Sequence, residues 1–253
     1  MAEWDESRTP TGTVPTGAGK LHGRRKGRPL RAGQQRALET LLPRLAVPLP
    51  ADGTPLDPTA LFDPAPRAVW LEVGFGGGEH LLAQARANPD VGLIGAEVFR
   101  DGVAKLLRGV EDEGLTNVRV FTGDARDLID ALPPASLARV FVLFPDPWPK
   151  TRHHKRRFIQ QGQLDALARG VQDGGELRLA TDDPSYRRWM AVAMTRHPAF
   201  AWTARAPADW CRRPADWPPT RYEAKALDQG RAPVYLRYRR RDRGPGAGPG
   251  SGK

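Results

Sequence analysis

From Ala68 onward, short apolar runs alternate with longer amphipathic ones, and no other feature constrains the fold so tightly. "AVWLEV" (68–73) ends at a glycine-rich loop and leads into the helix-like "GEHLLAQARAN" (78–88). "VGLIGAEV" (91–98) precedes "FRDGVAKLLRGVEDEG" (99–114), and "NVRVFTGD" (117–124) precedes "ARDLIDAL" (125–132). A fourth run, "LARVFVLF" (137–144), is followed by a helix predicted across "KRRFIQQGQLDALARGVQ" (155–172), then by "GELRLATD" (175–182) and the helical "SYRRWMAVAMTR" (185–196). Strands that alternate with helices of this length form a parallel sheet covered on both faces. Two further β-like runs, "FAWTAR" (200–205) and "VYLRYRR" (234–240), are joined by an irregular Pro/Trp-rich stretch without a helix pattern, which predicts an antiparallel pair at the sheet edge. The expected class is α/β, with a seven-stranded, mostly parallel sheet.

Outside this rhythm the chain is polar and proline-rich. Residues 1–19 and 242–253, poor in large apolar groups, read as disordered tails. Residues 20–45 form a basic arm with seven Lys/Arg and no acid through Arg36, then a short helix; 46–241 is one large domain that opens on a proline-rich connector. Lys and Arg total 39 against 29 Asp and Glu, a formal +10, which points to phosphate-rich partners. The single Cys211 excludes an internal disulfide, and no Cys/His cluster has zinc-ligand spacing, so no metal is expected. Without a signal-like apolar core or a membrane-length apolar run, the expectation is a cytoplasmic protein off the membrane. Residue identity leaves monomer and homodimer both open.

In such sheets ligands sit beyond the carboxyl ends of the strands, and here those ends are acidic: Glu72 and Gly74, Glu97, Asp124, Asp146 and Asp182. Each alone could cap a helix. Five in succession place like charges on one edge, where a ligand must supply donors. In "LEVGFGGGEH" (71–80), Glu79 replaces the third glycine of a dinucleotide loop, and an acid at Glu72 opposes a pyrophosphate but suits an ammonium group. Glu97 is placed to accept from ribose hydroxyls and Asp124 from an adenine amino group. Ammonium, ribose and adenine in that order describe S-adenosylmethionine. A nicotinamide enzyme is the weaker reading.

In "FPDPWPKTRHHKRR" (144–157), Pro145 and Pro147 restrict the backbone around Asp146. A fixed acceptor there can orient a purine so that N7, whose lone pair needs no deprotonation, meets a methyl donor. The adjoining cations, Lys150, Arg152, Lys155, Arg156 and Arg157, would hold phosphates beside it. Amino-methylation of adenine or cytosine, or a non-catalytic RNA-binding role, are the competing readings. Trp202, Trp210 and Trp217 read as buried or edge-packed, His153 and His154 as RNA-facing or solvated, and Asp182 and Asp183 equally as helix caps or substrate contacts.

These blocks, with "GRRKGRP" (23–29), "GAEVFRDGV" (95–103), "ATDDPSY" (180–186) and "TRYEAKA" (220–226), resemble the bacterial tRNA (guanine-N7)-methyltransferases over most of 20–240. The resemblance implies a Rossmann-like class I methyltransferase fold and methylation of a guanine in the tRNA variable loop. It also implies cofactor contacts at Glu72, Gly74, Glu97, Asp124 and Asp146, with Asp146 at the catalytic centre. Substrate contacts would come from Lys150, Asp182, Thr220, Arg221, Tyr222 and Glu223. His154 stands where Asn is usual, and Lys225-Ala226 where Arg-Gly is usual.

Overall fold

The computed structural model describes residues 29–244; the two expected tails, apart from residues 242–244, and the first part of the basic arm lie outside these residues. Seven strands form one sheet: β1 (Ala68–Val73), β2 (Val91–Ala96), β3 (Val118–Phe121), β4 (Leu137–Leu143), β5 (Val171–Thr181), β6 (Phe200–Trp202) and β7 (Val234–Arg240). Their spatial order is β3-β2-β1-β4-β5-β7-β6. The first five run parallel, and β7 pairs antiparallel with both β5 and β6. The expected fold class and antiparallel edge are therefore both present. Because strand order reverses between β1 and β4, the crossovers leave in opposite directions there and a crevice opens at the carboxyl ends.

The helices are α1 (Ala32–Thr40), α2 (Leu42–Leu45), α3 (Glu79–Ala87), α4 (Arg100–Glu113), α5 (Ala125–Ala131), α6 (Gln161–Gly170), α7 (Pro184–Arg196), α8 (Ala208–Cys211) and α9 (Arg221–Asp228). Helix α4 shows why the elements settle on opposite faces. Val103, Leu106, Leu107 and Val110 recur at helical spacing and are buried against Trp70, Leu93 and Phe141 of the sheet. Gly114 ends the helix in a left-handed conformation (φ 63°), with Leu115 N–H returning to the Val110 carbonyl at 3.1 Å. Ala37, Leu38 and Leu42 join the same cluster, so the helical half of the basic arm belongs to the domain core. Helices α5, α6 and α7 cover the other face through Leu128, Ile129, Leu164, Leu167, Tyr186 and Met190.

Two expectations are corrected. The helix predicted across 155–172 is broken: a 3₁₀ turn spans Thr151–Arg156, α6 begins only at Gln161, and β5 starts at Val171. The break is tertiary: Tyr186 Oη accepts from Ile159 N–H (3.1 Å) and Trp189 Nε1 donates to the Ile159 carbonyl (2.6 Å), pinning that residue extended against α7. The stretch before β7, expected to lack helix, holds α8 and α9. Thr220 caps α9 by accepting from Glu223 N–H at 3.2 Å, a Thr-x-x-Glu start signal that the sequence does contain.

Candidate active site

The glycine loop after β1 forms the floor. Gly74 (φ 71°), Gly76 (φ 56°) and Gly78 (φ 83°) adopt left-handed conformations open to glycine at no steric cost. A Cβ at Gly74 would meet nothing within 4 Å, so the loop faces open space there. From beneath, α4 presses so close that a Cβ at Gly102 would stand 2.1 Å from the Gly76 carbonyl oxygen. Glu97, just past β2, ties the loop to α4: Oε2 accepts from Gly76 N–H (2.8 Å), and Oε1 from Val98 and Phe99 N–H (2.8 and 2.9 Å). A carboxylate offers about four acceptor positions, and these bonds leave one on Oε2.

The strand-end acids divide by their partners. Glu72 is buried beneath the loop, with Oε2 2.7 Å from His80 Nδ1. Asp124 caps α5 by accepting from Arg126 N–H (3.0 Å), and both its oxygens bond the Arg126 guanidinium. Asp182 pairs with Arg231 at 3.1 Å, while Asp183 caps α7 through Tyr186 N–H at 2.7 Å.

Asp146 is exposed on the loop after β4, and surrounding protein raises its carboxyl pKa through lost solvation. The backbone on either side is strained: Phe144 (φ 50°) and Trp148 (φ 44°) are left-handed without being glycine. Such residues cost ~1–3 kcal/mol each and persist only where the surroundings impose them. Here Phe144 packs against the buried Ala180, Trp217 and Tyr235 and donates its N–H to the Ala180 carbonyl at 2.8 Å. Trp148 lies beneath the Arg156 guanidinium, 5.0 Å from its ring centre, with the His153 ring edge-on at 5.9 Å.

Arg157, expected among the phosphate-binding cations, is a correction. It is 2% exposed, donates to the Pro147 carbonyl (2.8 Å) and Ser185 Oγ (2.9 Å), and lies over the Tyr186 and Trp189 rings. Its role is internal: it anchors the Asp146 loop to α7. Lys150, Arg152 and Lys155 are exposed, so the basic run splits by burial into an anchor and a surface. His154 packs edge-on against Trp189.

The amino end of α9 crosses the mouth of the crevice. Tyr222 lies over Gly76, and Arg221 pairs with Glu79 at the start of α3. Glu223, expected to touch substrate, is buried, bonded to Tyr235 Oη and 3.2 Å from Arg213 Nη1; it fixes α9 to β7. Electrostatics shows what has converged. Burial raises the Glu97 pKa, with the Asp146 charge adding to it. Burial also raises the Tyr222 phenol, helped by Glu97 and Asp146. Glu97 and Tyr222 thus meet at Gly76 of the glycine loop, and the Asp146 charge is near enough to act on both. Sequence reading missed His80, Gln84 and Gly102, whose only signal was helical spacing towards the sheet.

A sheet with an antiparallel strand inserted between its fifth and sixth strands, and a glycine loop after its first at the switch point, is the arrangement of a class I methyltransferase. Residues 66–236 match the family described as "Putative methyltransferase". A tRNA (guanine-N(7)-)-methyltransferase of Rhodospirillum rubrum is 55% identical over 94% of this chain and 93% of its own. Proteins of the same name from Paramagnetospirillum magneticum (56% identical, 88% of this chain, 94% of its own) and a Ruegeria strain (49%, 88% of each) also align. The chain belongs to the tRNA (guanine-N(7)-)-methyltransferase family.

Proposed function

We propose that this chain transfers a methyl group from S-adenosylmethionine to N7 of a guanine in the variable loop of tRNA. The observation that carries this reading is the meeting of Glu97 and Tyr222 at Gly76 of the glycine loop, within reach of the Asp146 charge, with the exposed Lys150, Arg152 and Lys155 following Asp146 in the chain. The relatives named above supply the nucleic acid and the atom.

The residues present fit the cofactor. Glu72 has one oxygen taken by His80 and the other without a donor among the described residues, suiting an ammonium group. Glu97 keeps an acceptor position for a ribose hydroxyl. Gly74 faces open space, where an adenosine chain can run against bare backbone. Asp124, which also caps α5, lies past β3 where it can accept from the adenine amino group. When bound, the cofactor supplies an electrophilic methyl on a sulfonium.

The chain's own contribution is orientation and charge. Asp146, set by its two prolines and the Arg157 anchor, accepts from the donor edge of the purine. Its negative charge then opposes the positive charge that N7 alkylation leaves on the ring. Tyr222 offers a ring face over the loop on which a splayed base can stack. Lys150, Arg152 and Lys155 neutralise flanking phosphates. Mass spectrometry of nucleosides from tRNA incubated with protein and cofactor tests the reading: 7-methylguanosine is expected, and N6-methyladenosine or an unmodified digest contradicts it.

A further inference from the structure

Beneath the glycine loop, groups from three parts of the chain form a buried polar series. Glu72 of β1 and His80 of α3 lie 2.7 Å apart, Oε2 to Nδ1. His80 Nε2 lies 3.4 Å from Gln84 Nε2, and that same Gln84 nitrogen donates to the Asp216 carbonyl at 2.7 Å. The spacing of His80 and Gln84 puts them on one helix face. Glu72, His80 and Gln84 are 3%, 2% and 4% exposed, so the series lies almost wholly inside the protein.

The proton positions follow from the one fixed partner. A backbone carbonyl only accepts, so Gln84 must turn its NH2 group towards Asp216. The second hydrogen of that NH2 then faces His80 Nε2, which must accept. The ring proton therefore sits on Nδ1 and donates to Glu72. A second ring proton would set N–H against N–H at Gln84. Within the pair a neutral imidazole faces a carboxylate, so the His80 bond itself brings no positive charge to Glu72. Among the described residues nothing donates to Glu72 Oε1. A buried carboxylate in this state calls for a cationic donor from outside the chain.

We propose that His80 is a positioning residue. It holds Glu72 by one oxygen, in the tautomer imposed by Gln84, and so reserves the other oxygen and the full negative charge for the ammonium group of the cofactor. Through Gln84 and Asp216 the same series ties that carboxylate to the segment leading to Tyr222, which covers the loop. The inference rests on the functional reading above.

Two measurements test it. The first is calorimetric titration with S-adenosylhomocysteine, which carries the ammonium group without the reactive methyl, on the unaltered protein, His80→Leu and His80→Asn. The Asn side chain returns an N–H near the position of Nδ1. His80→Leu should raise the Kd by about tenfold to a hundredfold, and His80→Asn should recover most of that, while tRNA affinity stays within about twofold in both. Equal binding by a folded His80→Leu protein, or equal losses in both variants, overturns the proposal, since the second result reads volume alone. The second measurement needs no variant: nitrogen-15 histidine NMR of the unaltered protein should show His80 protonated at Nδ1 only, with that signal shifting on titration. A proton on Nε2 overturns the assignment. If the unaltered protein binds no S-adenosylhomocysteine at all, the functional reading itself fails.

Discussion

At the scale of single residues, one acidic side chain and one basic one on the same loop have opposite duties. Asp146 is exposed between the left-handed residues Phe144 and Trp148; Arg157 is buried and does the holding. Asp146→Ala should lower turnover by about a hundredfold or more, the scale of a lost positioning contact, while tRNA affinity by filter binding changes little. Lost solvation from the surrounding protein raises the Asp146 carboxyl, and burial raises that of Glu97, above their ordinary range. If both must be ionised to accept hydrogen bonds, activity falls on acidification at a pH above the usual carboxylate value of about 4. A pH–rate profile checks this, and an acid limb at or below ~4 contradicts it. Arg157→Ala should destabilise the fold by ~1.5–3 kcal/mol, the range for hydrogen bonds from a charged group, measured by urea unfolding. The prolines around Asp146 were legible in the sequence. The separate duty of Arg157 was not, because a run of cations carries no mark of which one turns inward.

At the scale of elements, close approach decides the design. Replacing an exposed helical glycine by alanine ordinarily gains about 1 kcal/mol. Gly102 should show the reverse sign, because its Cβ would stand 2.1 Å from the Gly76 carbonyl on which the glycine loop rests. Gly102→Ala should therefore lower thermal stability and weaken cofactor binding together. Unchanged binding by calorimetry contradicts this packing. The parallel strands and α3, α4, α5 and α7 were legible because apolar periodicity reports burial directly. Helix α6 was read several residues too early, because Tyr186 and Trp189 of α7 claim the backbone of Ile159, a contact across 27 positions for Tyr186. Helix α9 was missed although its Thr220 and Glu223 form a start signal, since its helical pattern is only eight residues long and surrounded by prolines.

At the scale of the whole molecule, a formal charge of +10 favours a phosphate-rich partner, but burial decides which charges can reach one. Log–log plots of tRNA affinity against salt should fall with a slope that lessens by about one for each exposed cation removed. Replacing Lys150, Arg152 and Lys155 together should lessen it by about three; Arg157→Ala should leave it unchanged. Far from the crevice, arginines serve the fold instead: Arg169 donates to the Leu132 and Ile129 carbonyls at the end of α5, and Arg243 to the Ala168, Arg169 and Val171 carbonyls at the end of α6. Composition pointed to a polyanion partner, whereas only the folded chain distinguishes helix-capping arginines from those left exposed.

The most direct measurement supplies S-adenosylmethionine labelled on its methyl group together with unmodified tRNA, then maps the label by aniline cleavage at alkylated guanine. Label at a single variable-loop guanine, lost with Asp146→Ala, is the predicted result. Label that appears on protein or on a small molecule while the tRNA stays unmarked would contradict it.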